Sequence, residues 1–272
     1  MSTLAERYSQ ALVTGASSGL GAAFAEMLLR TGIETWGTSR DAGRLAARPH
    51  FHALALDLAD GDAAERIFLD AERASGGFDI VVSNAGYGVF GGFAETDFAA
   101  WQAQLEVMLV NTARLARLAL RGMLARNRGA LVNVSSGAVR FPLPFQAAYN
   151  MAKAGLAALS ESLMVETAGT GVIVIDLQPG DYRTDFERSV RRAPESFTPR
   201  QQRAWEAFTR MMRTGPPPSH AAAALRRALR RGRSGTVRTG RFFQAVAGPF
   251  LARFGSSGWV RAFLMRYFDS AP

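Results

Sequence analysis

The sequence predicts a doubly wound α/β domain, an open parallel sheet of about seven strands with helices on both faces. Two observations carry that expectation. Short apolar, β-branched runs alternate with helix-length stretches through the first two thirds of the chain, as strands buried on both faces and joined by crossover helices would require. The first of these runs opens into a glycine-rich turn ahead of an amphipathic stretch, the place where such a sheet binds its ligand.

The elements follow in order. Residues 11–14 form the first run and precede a helical pattern over 20–30. A second run at 35–38 leads to a short basic helix, and a third at 51–56 to a helical stretch at 61–74. Further runs at 80–83, 130–134 and 172–177 have longer helical segments over 98–126 and 147–168 between them. Each run is too short for a helix and rich in Val and Ile, which favours strands. Pro216, Pro217 and Pro218 mark a helix break before a basic helix at 221–231, and 236–239 supplies a last strand. From Arg241 onward the tail is apolar, punctuated by arginines and helical in pattern. No repeat of fixed period is present.

Composition narrows the function classes. The chain has 272 residues, 48% hydrophobic and 20% charged, with a formal net charge of +9. Collagen-like, disordered and disulfide-stapled classes are excluded. With no cysteine there is no disulfide, no thiolate nucleophile and no cysteine-ligated metal. No apolar run reaches the roughly 20 residues that cross a bilayer, and the first strand begins too early to leave room for a signal peptide, so a cytoplasmic protein is expected. The charge is unevenly spread: residues 1–182 carry a net of −4 and residues 183–272 a net of +13. The 32 basic residues are 31 arginines and one lysine, Lys153. Arginine cannot deprotonate in a protein, so the single lysine marks a position where a tunable ammonium is needed.

Two local patterns carry chemistry. Gly15, Gly19 and Gly21 let the backbone turn tightly and approach a pyrophosphate at a helix N-terminus. The G-x3-G-x-G spacing taken alone is also that of a plain turn; its place between strand and helix favours a dinucleotide. Tyr149 and Lys153 stand four apart in a helical segment and share one face. An ammonium there is expected to lower the phenol pKa toward the working pH and make a proton donor. His50, His52 and His220 are the only histidines, and no carboxylate cluster completes a metal site with them. No Gly-x-Ser-x-Gly elbow supports a hydrolase.

With these motifs in order, residues 8–190 resemble the compact single-domain branch of the short-chain dehydrogenase/reductase family, with its Rossmann-type sheet. Residues 14–21 are similar to the family's cofactor loop, Asp57-Leu58 to its adenine-facing pair, and Ser83-Asn84-Ala85-Gly86 to the motif closing the fourth strand. Asn111, Ser136, Tyr149 and Lys153 match the catalytic tetrad, and Pro179-Gly180 with Thr184 the segment that caps the nicotinamide. Ser83 departs from the usual asparagine, and Asp181-Tyr182 stands where smaller or apolar residues are common. Ser135 also precedes Ser136, but the thirteen-residue spacing to Tyr149 selects Ser136 and leaves Ser135 as a strand residue.

The resemblance implies NAD(P)-dependent interconversion of an alcohol and a ketone or aldehyde. Tyr149 would transfer the proton, Ser136 would hold the carbonyl oxygen, Lys153 would bind the nicotinamide ribose, and Asn111 would hold a water linking Lys153 to solvent. Gly15, Ser17, Ser18, Gly19, Leu20, Gly21, Arg40, Asp57, Leu58, Asn84, Ala85, Gly86, Pro179, Gly180 and Thr184, with Tyr149 and Lys153, would bind the cofactor. The second strand ends Thr38-Ser39-Arg40 without a carboxylate at the ribose position; Asp41 is read as a helix cap and Glu34 lies too early. Arg40 can pair with a 2′-phosphate, which favours NADP(H) over NAD(H).

The expected substrate is a small hydrophobic alcohol or carbonyl, because Tyr87, Phe90, Phe93, Phe141, Leu143 and Phe145 dominate the loops that set specificity. Residues 87–92 resemble the corresponding loop of hydroxysteroid and retinol dehydrogenases. The whole chain is expected to form one catalytic domain, with a substrate cap and basic region over 183–272, and to assemble as a homodimer or homotetramer. In the tail, Phe242, Phe243, Val246, Phe250, Leu251 and Phe254, then Trp259, Phe263 and Tyr267, recur at helical spacing. Such a stripe can cap the cleft, form a subunit interface or, with its arginines, lie on an anionic membrane; it is read as a cap over the cleft, with peripheral membrane contact as the second reading. The other classes weighed are a catalytically silent dinucleotide sensor or scaffold and a nucleic-acid or membrane binder. An intact tetrad argues against the first, and the lack of any recognised nucleic-acid motif against a nucleic-acid partner.

Overall fold

A computed structural model describes residues 3–193, 197–248, 250 and 257–270. The seven-stranded sheet has the order β3 (Phe51–Ala55), β2 (Glu34–Ser39), β1 (Gln10–Val13), β4 (Ile80–Ser83), β6 (Gly129–Val134), β7 (Val172–Pro179) and β9 (Gly235–Thr239). Every pairing is parallel. Strands of this kind are covered on both faces, and β4, β6 and β7 are buried along their whole length. Strand order reverses between β1 and β4, which opens a crevice at their C-terminal ends.

Helices supply the two outer layers. On one face α1 (Gly19–Arg30) and α7 (Pro218–Arg231) pack together over a core containing Phe24, Leu28, Leu225 and Leu229. On the other, α2 (Gly61–Ser75), α4 (Asn111–Ala125) and α5 (Ala147–Glu166) cover Phe68, Leu115, Met123 and Leu163. In α5 the buried positions Ala148, Ala152, Leu156, Ser160 and Leu163 follow the helical repeat, with Lys153 beside them.

Most elements lie within two residues of their expected bounds. The largest departure is in the stretch expected as one helix over 98–126. There α3 (Phe98–Leu105) passes through a π-turn at Glu106–Val110 before α4 begins at Asn111. Thr112 Oγ1 donates to Val107 O, five residues back, at 2.9 Å. Such a bulge re-aims the next side chain, and Asn111 is the residue it delivers to the sheet. A second departure is a small parallel sheet absent from the sequence reading, β5 (Gly88–Phe90) with β8 (Val190–Arg192). It ties the loop after β4 to the segment after β7, beneath α6 (Pro199–Thr214). Phe90, Val190, Phe208 and Met212 form the separate core of this cap.

Candidate active site

The glycine turn after β1 is held from across the sheet. Thr14 Oγ1 accepts from the backbone N–H groups of Asn84 and Ala85 at 2.9 and 3.0 Å, and Asn84 Nδ2 donates to Thr14 O at 3.0 Å. Gly15 and Gly19 take φ of +68° and +56°, the left-handed region that favours glycine. A Cβ on Gly21 would stand 2.2 Å from Gly15 O and 2.5 Å from Asn84 Nδ2. The turn ends at the N-terminus of α1, where Ser18 makes no side-chain cap and the first turn holds no acid. By contrast Asp60 caps α2 and Thr198 caps α6. An uncapped helix start lined by close backbone fits a pyrophosphate.

The expected cofactor residues share one cleft of about 870 Å³ with Ser136, Tyr149 and Lys153. Ser17, Ser18, Gly19, Leu20, Arg40, Asp57, Leu58, Asn84, Ala85, Gly86, Pro179, Gly180 and Thr184 all border it. Gly21 stays behind, packed against Gly15 and Asn84. At the end of β2, Asp41 accepts from Gly43 N–H at 2.9 Å, the cap expected of it, and Glu34 is engaged by His52 at 2.6 Å. Arg44 joins Arg40 on the cleft wall, a second cation that the sequence reading passed over. Asp57 is exposed and accepts from Ala59 N–H at 2.9 Å, while Leu58 is buried.

Three of the four tetrad positions meet on the cleft, Ser136 just past β6 and Tyr149 with Lys153 on α5; Asn111, on α4, is not among the lining residues. Lys153 is 5% exposed and donates to Val134 O at 2.7 Å, with its ammonium 5.8 Å from the Tyr149 ring centre. Ser136 follows β6, accepts from Ala138 N–H at 3.1 Å and hydrogen-bonds the Tyr149 phenol. Asn111 is buried at the start of α4, and its Nδ2 donates to Leu58 O, past the end of β3, at 2.8 Å.

Electrostatics differ from expectation at Tyr149. Burial raises the phenol pKa above its ordinary value, the Ser136 hydrogen bond opposes this, and Asp181 adds to the rise. The expected lowering of the phenol pKa is thus not found: burial and Asp181 set the direction. Lys153 itself is pushed down to about 8 by burial, with Asp176 working against that shift. Asp176 is a buried carboxylate on β7 that the sequence reading missed. Its pKa is raised by burial and opposed by hydrogen bonds from Ser135 and Gln178. Ser135 therefore lies just past β6 as a partner of Asp176, rather than as an ordinary strand residue.

After β7, Gly180 N–H donates to Thr239 O at 2.7 Å. Tyr182 turns inward, its hydroxyl 2.9 Å from His220 Nδ1 and 2.7 Å from Thr239 Oγ1, and burial pushes its pKa up to about 12. This departure from the family pattern is a tether for α7 and β9. The tail also reaches the cleft: Phe243 and Gln244 from a π-turn at Phe243–Ala247, and Phe263 and Tyr267 from α8 (Ser257–Tyr267), line its wall. Of the tail residues singled out above, Leu251 and Phe254 lie outside the described residues. His52 stacks on Trp36 at 4.3 Å, so its role is packing and pairing with Glu34.

A phenol, a hydroxyl and an ammonium at one end of a cleft, with an anion-binding helix start at the other, can hold a dinucleotide and move a proton at a carbonyl oxygen. Known proteins agree with this arrangement. The model of short chain dehydrogenases matches residues 9–195. A short chain dehydrogenase of Pseudocercospora fijiensis is 33% identical over 186 residues, 65% of this chain; the match spans 60% of that relative's length. A short-chain dehydrogenase from Streptomyces avermitilis has TM-score 0.83 and 29% identity, covering 94% of this chain and 97% of the other. A short chain dehydrogenase/reductase from Burkholderia phymatum in complex with NAD has TM-score 0.81 and 25% identity, covering 93% and 94%. A metagenomic short-chain oxidoreductase in complex with NADP has TM-score 0.66 and 29% identity, covering 85% and 96%. This chain belongs to the short-chain dehydrogenase family, and it is an oxidoreductase with a nicotinamide dinucleotide cofactor.

Proposed function

We propose that the chain interconverts a hydrophobic alcohol and its ketone or aldehyde, with NADP(H) preferred over NAD(H). The observation that carries this reading is the Ser136–Tyr149–Lys153 cluster at the inner end of the cleft. The cofactor, when bound, supplies or accepts the hydride. Gly15, Gly19 and the uncapped start of α1 hold its phosphates, and Arg40 with Arg44 offers charge-assisted bonds to a 2′-phosphate. Asp41 is spent on its cap and Glu34 on His52, so neither competes at that position.

Ser136 donates to the substrate oxygen and fixes its place. Tyr149 gives its proton to that oxygen in reduction and takes it back in oxidation. A phenol raised by burial is a reluctant acid, so Lys153 has to hold its charge close by as the phenolate develops. Asn111, set by the π-turn beside Leu58, is suited to the water position that refills the proton.

Phe141, Phe186, Phe208, Phe243 and Phe263 along the wall favour an apolar substrate, and the tail acts as its cap within a single catalytic domain. Phe242, Val246 and Phe250 are more than half exposed beside Arg241, which suits contact with an anionic membrane surface that delivers such a substrate. A homodimer or homotetramer in the cytoplasm completes the reading. The test is the loss of NADPH absorbance with a panel of lipophilic ketones, beside salt-dependent binding of nucleic acid. Ketone-dependent oxidation of NADPH without nucleic-acid binding is expected; binding of both NADPH and ketone without turnover overturns it.

A further inference from the structure

The end of β7 delivers an acidic side chain into the cleft, close to a run of aromatic rings. Asp181 follows Pro179-Gly180 and lines the same cavity as Tyr149. Its backbone N–H donates to Gln244 Oε1 at 3.2 Å, and its Oδ2 accepts from Gln244 Nε2. That Gln244 amide also reaches the Tyr267 hydroxyl at 3.4 Å. Three polar side chains from two distant stretches of chain meet here, and the carboxylate acts on both Tyr149 and Tyr267. Phe263 stacks on Tyr267, Phe141 and Phe243 pack on Phe263, and Phe186 packs on Tyr149. Arg241, the cation that acts on Asp181, is exposed and gives a hydrogen bond to Thr214 O.

A carboxylate in such surroundings is costly unless its oxygens are hydrogen-bonded. Gln244 satisfies Oδ2; among the described residues none donates to Oδ1. A substrate that is apolar throughout would cover this oxygen and leave it unpaired, whereas one bearing a hydroxyl could donate to it. We propose that Asp181, held in place by Gln244 and Tyr267, is a specificity-determining residue that accepts a hydrogen bond from a second hydroxyl on a hydrophobic alcohol or ketone. This rests on the oxidoreductase reading above and adds to it the second polar group of the substrate. A site built to bond a hydroxyl rejects the analogue lacking it far more strongly than an apolar pocket rejects an added one.

The probes are decalone and its monohydroxy regioisomers, with NADPH saturating. The wild-type protein favours the best hydroxydecalone over decalone by about tenfold to a hundredfold in kcat/KM, the range for one hydrogen bond to a charged acceptor. Asp181→Leu brings that ratio to about one, and Asp181→Asn leaves it between the two. A wild-type ratio of one or less for every regioisomer overturns the proposal. So does a preference that Asp181→Leu leaves unchanged, because a latch that only braces the tail would slow both ketones together. Calorimetric binding of the same ketones to the NADPH complexes reads the preference without turnover. Selective binding of hydroxydecalone with reduction of neither ketone refutes the oxidoreductase reading and upholds the role of Asp181. NADPH fluorescence titration verifies that each variant is folded.

Discussion

Replacing Lys153 by methionine separates the needs of chemistry from those of stability. The side chain is 5% exposed, its ammonium donates to Val134 O, and burial lowers its pKa from 10.5 to about 8. Below pH about 8 both native and unfolded chains hold the proton, and the native state bears the full cost of burying the charge. Between about 8 and 10.5 the native state has shed a proton that the unfolded chain keeps, so wild-type stability rises with pH. The shift corresponds to about 3 kcal/mol across that window. Methionine fills similar space without the charge and forfeits one hydrogen bond worth about 1 kcal/mol. Lys153→Met is therefore expected to be more stable than wild type by about 2 kcal/mol at neutral pH, an advantage that disappears toward pH 10.5. Turnover falls by about a hundredfold or more, because the charge that supports the phenolate is gone. Urea unfolding followed by circular dichroism at neutral and alkaline pH, beside steady-state kinetics, reads both effects. A variant less stable than wild type at neutral pH, by a margin that does not change with pH, would refute the reasoning.

Three shorter predictions test the ends of the cleft. Arg40→Ala should weaken NADPH binding by about 2 kcal/mol more than NADH binding, measured by fluorescence titration; equal losses would make Arg40 a surface residue. Gly21→Ala places a Cβ 2.2 Å from Gly15 O, so it should cost about 1–3 kcal/mol of stability and at least tenfold in affinity for both cofactors. Wild-type affinity in that variant would show that the turn does not cradle the phosphates. Phe242→Ser with Phe250→Ser should abolish flotation with anionic liposomes at low salt while leaving reduction of a soluble ketone intact; a wild-type protein that ignores those liposomes removes the membrane contact from the account.

The sheet was legible because its strands are buried on both faces: runs such as Ile80–Ser83 are apolar throughout and leave few alternatives. The glycine turn, the Tyr149–Lys153 pair on one helix and the Asp41 cap were equally legible, since each depends on spacing along a short stretch of chain. What escaped depends on distance or on environment. The three-residue strands β5 and β8 carry no period of their own and exist because each pairs with the other across a hundred residues. The π-turn before Asn111 adds one residue to a turn within a helical pattern that reads as continuous. Tyr149-x3-Lys153 shows that a cation is near but not how dry the site is, and it is burial that sets the direction of the phenol shift. Gln244 and Tyr267 sit in a tail whose pattern shows an apolar face and not what that face covers.

In the proposed mechanism Tyr149 carries the proton, while the glycine turn and α1 carry the cofactor. Tyr149→Phe keeps the ring against Phe186 and removes only the hydroxyl. Titration with NADPH, followed by turnover with a lipophilic ketone, should give unchanged cofactor affinity and a rate lower by about a hundredfold or more. A variant that binds NADPH normally and keeps most of the wild-type rate would contradict the account.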